Sequence, residues 1–387
     1  MKRVAIVGVG QMPYRRAHTE LSSADMIWEA AEAALVDADM DIGDIDAIVL
    51  GVAPDALSGE NGVEKTALFG AGKPYVRVNT GGVTGSSAAF AGMAQVGSGR
   101  ARTTLVIALE RMGQATTSQQ VFNTIFDPVY EKDFPLTTIT MAALRASMLM
   151  RVYGYSERDW ADIAARNYRN ALKNPLAHIH RDLTAEEILA SPLLAWPIHR
   201  FEACPMSEGA CAIVVADESR IGDRTPAWVQ GTASTSDAYA MGDRFHRPEG
   251  MLVDLLSLRM SAQRAYRDAD ITDPATEIDV VELYSPFSSA EAMTYPALGF
   301  CDPEGGPAFV RDQMNGDVHQ AFNPSGGPQA ANPVSATALV RIAEAALQVR
   351  GVAGERQVAD VNRAVATGQG GATQFSTVCV LGTRSPE

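Results

Sequence analysis

The stretch from Val78 to Phe90, VNTGGVTGSSAAF, sets Gly81, Gly82 and Gly85 ahead of a run of Thr, Ser and Ala. Residues this small predict a strand end, a tight turn and then a helix. A helix N-terminus entered through glycines can hold a developing negative charge, because its first N–H groups have no carbonyl partner. Yet the stretch contains no Cys, His or carboxylate. Nor does it match GxGxxG or GxxxxGK[ST], the patterns of nucleotide-phosphate loops. The four cysteines, Cys204, Cys211, Cys301 and Cys379, lack CxxC spacing, which predicts neither a disulfide framework nor a zinc site. The turn is suited to an anion and has no nucleophile.

The elements that must position this turn follow from apolar periodicity. Strands are expected at 4–10, 46–52 and 103–110, with helices at 22–38 and 84–98. Residues from about 115 to 200 have helical periods and no clear strand, and a strand returns at 210–217. The first pattern then recurs: strands near 228–235 and 279–284, helices near 252–268 and 333–349, and final strands near 362–367 and 373–381. The recurrence is visible in the letters. ALVDADMDIGDIDAIVLG, from Ala34, resembles AYRDADITDPATEIDVVELY, from Ala265. Strands alternating with helices at this spacing predict an α/β fold with a mainly parallel sheet. A chain of 387 residues exceeds one ordinary core, so two similar halves are expected. The helix at 84–98 carries no charge and few large residues, which predicts burial on all faces at the centre of the molecule.

Composition narrows the function class. Apolar residues make up 46% and charged residues 20% of the chain, as in ordinary globular proteins. A formal charge of -14 argues against nucleic acid as a main partner, since phosphate neutralisation needs clustered Lys and Arg. A small anionic ligand stays possible through a local basic pocket. The opening MKRVAIVGVGQMPYRR has a basic start, but its apolar run is short and ends in Gly-Gln-Met-Pro, so it reads as a buried strand rather than a signal peptide. No apolar stretch is long enough to span a membrane, and the cytoplasm is the expected compartment.

Several longer stretches resemble the thiolase superfamily, and more closely its sterol-carrier-protein and lipid-transfer-type members. They are ACPMSEGACAIVVAD (203–217), EIDVVELYSPFSSAEAMTYPALGFC (277–301), FNPSGGPQAANPVSATAL (322–339), ALQVRGVAGERQV (346–358) and MRVYGYSERDWADIAARNYRNALKNPLAHI. The likeness runs from residue 3 to about residue 382. It implies two duplicated βαβαβαββ lobes in a five-layer αβαβα arrangement, 1–222 and 223–387, with a loop domain at about 115–205 inserted in the first. It also implies an acyl-CoA substrate, no cofactor beyond the substrate's CoA, no metal, a homodimer, and an OB-fold zinc-bearing partner.

The family's chemical motifs are changed here. A working thiolase of this type carries a nucleophilic Cys in Cys-x-[ST]-Gly, a His in Gly-His-Pro, a His in His-Asp-x-Phe, and a Gly-rich C-terminal loop. In this chain Gly82 stands at the Cys, in Gly82-Val83-Thr84-Gly85. Ala331-Asn332-Pro333 replaces Gly-His-Pro, and Tyr284-Ser285-Pro286-Phe287 replaces His-Asp-x-Phe. Only Gly368-Gln369-Gly370-Gly371 is kept. Covalent acyl transfer needs an activated side chain, and Gly82 has none. Stabilising an acyl-CoA enolate needs only placed N–H groups, here expected from Gly82, Gly368 and Gly370. The resemblance therefore points to a thiolase-like aldolase cleaving a bulky, steroid-type β-hydroxyacyl-CoA.

Tyr284 is the first candidate for the base, or for the acid that reprotonates the enolate; the alternative is a residue that merely fills the space of the His. Asn332 can donate to the thioester oxygen or serve as a structural bond. Tyr239, Asp243 and His246 fall where the second lobe should cover the pocket, and Tyr239 and His246 are reserve catalysts. Arg166, Arg169 and Lys173 recur on one helical face and could meet CoA phosphates, or be a solvated face. Two rival readings are a catalytically silent acyl-CoA-binding homologue and an acyltransferase with a relocated nucleophile, Ser86 or Cys204.

Overall fold

The computed structural model describes residues 2–52, 57, 63–69, 72–112, 118–131, 133–244 and 252–386; His246 lies outside the described residues. Ten strands form one mixed sheet. The first five are β1 (Val4–Gln11), β2 (Ala47–Val52), β3 (Tyr75–Val78), β4 (Thr103–Arg111) and β5 (Glu208–Asp217). The second five are β6 (Ala227–Ser236), β7 (Val280–Glu282), β8 (Ala321–Phe322), β9 (Arg363–Gly370) and β10 (Phe375–Gly382). Their spatial order is β8–β7–β9–β10–β6 followed by β1–β5–β4–β2–β3. Each half thus has the same order, with the third strand at the outer edge and the first at the seam. The halves meet where Ala5 and Ile6 pair with Trp228 and Ala227. Duplication, legible in the letters, is carried through to the topology.

Helices of ten or more residues are α1 (Ser23–Asp37), α2 (Thr84–Gly97), α3 (Thr138–Tyr153), α4 (Glu157–Ala171), α5 (Leu256–Asp268), α6 (Ser288–Ala297), α7 (Gly306–Asn315) and α8 (Val334–Arg350). Helices α1 and α5 cover the outer faces of the two half-sheets, whereas α2 and α8 pack against each other between them. That gives the layers α1, sheet, α2 with α8, sheet, α5. With helices on both faces, β4 and β5 are buried at every position, which explains their unbroken apolar runs. The chain between β4 and β5 holds α3 and α4 and a two-stranded hairpin, Leu193–Ala195 with Ile198–His199. The sequence carried no signal for that hairpin or for the two-residue β8, whereas β3 supplies the strand end expected at Val78.

Several expectations need correction. The central helix is not buried on all faces: Ser87, Phe90, Ala91 and Gln95 are half-buried and Ala94 is exposed. Its small residues serve close approaches to α8 on one side and to β4 on the other, where a Cβ on Gly92 would stand 2.5 Å from Val106. A Cβ on Gly85 would stand 2.5 Å from the Leu339 backbone nitrogen of α8, so only glycine lets the two helices meet there. The strand expected at 279–284 leaves the ladder after Glu282, because side chains take over its amides. Leu283 N–H donates to Asn323 Oδ1 at 2.7 Å and Tyr284 N–H to Thr367 Oγ1 at 3.0 Å. The glycine-rich segment is not a loop as far as Gly370: Gly368, Gln369 and Gly370 pair with Thr377, Ser376 and Phe375 of β10. The turn begins at Gly371, whose φ is +63°.

Candidate functional site

Both central helices start at one place. The 3-10 turn Gly81–Val83 leads into α2, and Val334 opens α8; Gly82 and Val334 both line a cavity of about 240 Å3. Tyr284, Asn332, Cys204, Gln369 and Gly370 share its wall, with Phe122, Ile125, Met141, Phe287 and Met293 as its apolar part. Two helix N-termini aimed at one cavity make it favourable to negative charge. The lining contains no carboxylate and no imidazole among the described residues.

The position of the missing nucleophile is physically closed. A Cβ built on Gly82 would overlap the carbonyl oxygen of Gln369, inside the 3.0 Å that real Cβ atoms keep from a neighbour, and would stand 3.2 Å from Gly370 Cα. A Cβ on Gly370 would in turn meet Val83 N at 3.1 Å and Gly82 N at 3.4 Å. The turn and the end of β9 interlock through two missing side chains. Gly368 lies deeper, where a Cβ would press on Thr377 and Ser86; it does not line the cavity.

Tyr284 is buried, and its hydroxyl donates to Val334 O at 3.4 Å. Burial, then the nearby Cys204 and Glu110, push its phenol well above the usual tyrosine range, with only Arg341 opposing. It is held neutral, as a proton donor. The base role expected of it is not supported, because no cation stabilises a tyrosinate strongly enough.

The residues on either side of Tyr284 are tied to a buried polar hub at Glu291 of α6, Ser285 directly and Leu283 through Asn323. Glu291 accepts from Arg166, from Asn167 at 2.8 Å, from Asn323 at 3.0 Å and from Ser285 Oγ at 3.3 Å. Arg166 also reaches Gln313 and the Tyr295 hydroxyl. Its guanidinium is thus engaged with internal partners and does not line the cavity. Arg166 is paired with Glu291 inside the protein, and with Lys173 it also lines a separate cleft of about 290 Å3. Arg169 and Lys173 are exposed on the same helix region, away from the acyl cavity.

Asn332 presents its amide to the cavity. Nδ2 donates to Cys204 Sγ at 3.0 Å, and Oδ1 accepts from Thr337 at 2.8 Å. Sulfur is a weak acceptor, so this N–H can be exchanged onto a ligand oxygen at little cost. Burial pushes the Cys204 thiol up to about 12. Ser86 is buried, donates to Val83 O at 3.0 Å and accepts from Thr377 at 2.8 Å. Neither candidate for a relocated nucleophile is activated. Tyr239 is 59% exposed and stands outside the cavity lining; the structure does not bring it to the site. Asp243 is exposed nearby.

Two residues at this place were not singled out from sequence. Glu110, at the end of β4, accepts the Ser335 N–H at 3.2 Å and so caps α8, and burial pushes its carboxyl up to about 7. Arg145, on α3, reaches the cavity wall. An isolated Arg within an apolar helix was the only available signal for it.

Comparison with known proteins agrees with this architecture. Residues 4–187 match the family model described as thiolase, N-terminal domain, and residues 244–383 the one described as thiolase C-terminal domain-like. The chain is 29% identical over 366 residues to an acetyl-CoA acetyltransferase of Methanothermobacter thermautotrophicus, covering 92% of this chain and 94% of that protein. It is 28% identical over 385 residues to sterol carrier protein 2 of Homo sapiens, covering 92% of this chain and 68% of that protein. Among solved structures it is similar to an Ltp2-ChsH2(DUF35) aldolase, with a TM-score of 0.83 and 22% identity over 98% of this chain and 97% of that one. The two matched domains, together spanning most of the chain, show that it belongs to the thiolase superfamily.

Proposed function

We propose that the protein is a carbon–carbon lyase that cleaves β-hydroxyacyl-CoA thioesters by a retro-aldol reaction, without a covalent acyl intermediate. The observation that carries this reading is the closed seat at Gly82 beside a cavity that keeps its hydrogen-bond donors. In the reaction a base takes the β-hydroxyl proton, and the O–H electrons form the C=O of the leaving ketone. The Cα–Cβ electrons pass into the thioester as an enolate. The amide of Asn332 and the first N–H groups of the Gly81–Val83 turn are suited to hold that enolate oxygen. The neutral phenol of Tyr284 then protonates Cα. The base falls outside the described lining, with His246 as the candidate in the sequence.

The apolar wall suits a bulky hydrocarbon acyl group, a steroid side chain among them. The aldolase fold similarity, and its DUF35 component, support a partner protein that completes the pocket; an OB-fold zinc-bearing protein is the kind expected. A homodimer is supported by the outer edge of β3, which pairs with no further strand among the described residues and where Tyr75 and Val76 are exposed, beside the half-covered face of α2. The test is release of ketone from a tertiary β-hydroxyacyl-CoA, with and without such a partner. Wild-type protein should release it and Tyr284→Phe should not, with CoA affinity unchanged. Stoichiometric acylation of the protein, with no ketone, would overturn the reading.

A further inference from the structure

The cavity holds a buried cation for which the retro-aldol reaction has no use. Arg145, only 3% exposed, donates from Nη2 to Ala372 O at 2.9 Å and to Thr373 Oγ1 at 2.8 Å. Its Nε is buried with no hydrogen-bond partner. A second arginine converges on the same two atoms: Arg244, 4% exposed, reaches Ala372 O at 2.7 Å and Thr373 Oγ1 at 3.2 Å, and Ala238 O at 3.0 Å. The carboxylate whose charge reaches Arg145 is Asp237, which opposes the repulsion from Arg244. Burial, with Arg244 added, lowers the Arg145 guanidinium to about 9.

The acceptor side is itself held under strain. Thr373 has φ +66°, a left-handed conformation that a β-branched residue rarely adopts. The two guanidinium groups brace it directly after the Gly371 turn. A buried cation is costly unless an anion meets it, yet the described lining offers none. Met141, one turn before Arg145 on α3, belongs to the apolar wall.

We propose that Arg145 is a specificity residue that selects acyl-CoA thioesters whose acyl group carries a carboxylate, with the carbon chain against Met141 and Phe287 and the carboxylate on the guanidinium. Nη2 is committed to Ala372 and Thr373, so the carboxylate would accept a single charge-assisted bond from the Nε–H, the donor at present unused. This rests on the assignment of the cavity to the acyl group in the proposed function. The phosphates of CoA are not its target, since they lie at the far end of the pantetheine arm from the thioester.

The full-length chain is titrated calorimetrically with succinyl-CoA against butyryl-CoA, and with glutaryl-CoA against valeryl-CoA. Each pair differs by a carboxylate in place of a methyl group. In at least one pair the carboxylate member should bind at least tenfold more tightly; Arg145→Gln should abolish that preference and Arg145→Lys should keep part of it. Equal affinity within both pairs in the wild-type protein overturns the proposal even if the variants fail to fold, as does a preference that survives Arg145→Gln. Free CoA separates the two levels. Binding of CoA without carboxylate discrimination overturns this inference alone, whereas no binding of CoA or any thioester overturns the proposed function with it.

Discussion

Restoring a cysteine at Gly82 should fail to restore thiolase chemistry, and the reason is steric before it is chemical. The new Cβ would overlap Gln369 O and press on Gly370 Cα. Relief requires moving the end of β9, which is tied by its pairing of Gln369 with Ser376 and Gly370 with Phe375. Forcing extra atoms into a packed site costs about 1–3 kcal/mol. With about 2.1 cal/mol/K of unfolding entropy per residue, a chain of 387 residues loses only about 1 °C in Tm per kcal/mol. Urea is the better assay: at a slope of about 3 kcal/mol per M, the midpoint should fall by roughly 0.3–1 M. Gly82→Ala should fall by a similar amount, which separates the Cβ from the thiol. Intact mass after incubation with acetyl-CoA should show no acyl adduct on Gly82→Cys, because Asn332 and Tyr284 stand where bases would be needed. A Gly82→Cys protein with wild-type stability and an acetylated new thiol would refute both parts of this reasoning.

Other measurements follow from the same contacts. Arg166→Ala leaves Glu291 buried and short of its cation, so it should destabilise by about 3–5 kcal/mol, read from urea midpoints. Glu202 is fully buried, and burial pushes its carboxyl up to about 7 from 4.5. The folded state therefore binds its proton more tightly than the unfolded state. Its contribution is complete below about pH 4.5 and is lost as pH rises through 7, by up to about 3 kcal/mol; Glu202→Gln should flatten that fall in unfolding midpoints between pH 5 and 8. Cys204, with its thiol at about 12, should be alkylated by iodoacetamide at pH 8 far more slowly than a free thiol, and Asn332→Ala, which removes a donor bond to it, should not accelerate this tenfold.

Particular residues show how far the sequence reached. The Asp-Ala-Asp helix ends at 37–39 and 268–270, each followed by Ile-Asp and an apolar run, fixed the duplicated α/β plan because periodicity and turn chemistry are local. The absence of Cys at Gly82 and of His at Tyr284 and Asn332 was also plain in the letters. Tertiary structure decided the rest, through contacts between distant parts of the chain. That Gln369 O fills the space of a side chain on Gly82 depends on two segments nearly three hundred residues apart. Arg166 reads as a free cation until Glu291 is placed against it. Arg145, not singled out in the sequence, acquires its place only when Ala372 and Thr373 arrive from the far end of the chain. Charge and hydrogen-bonding capacity are written in the sequence; whether they are met inside the protein or left for a ligand is settled only by packing.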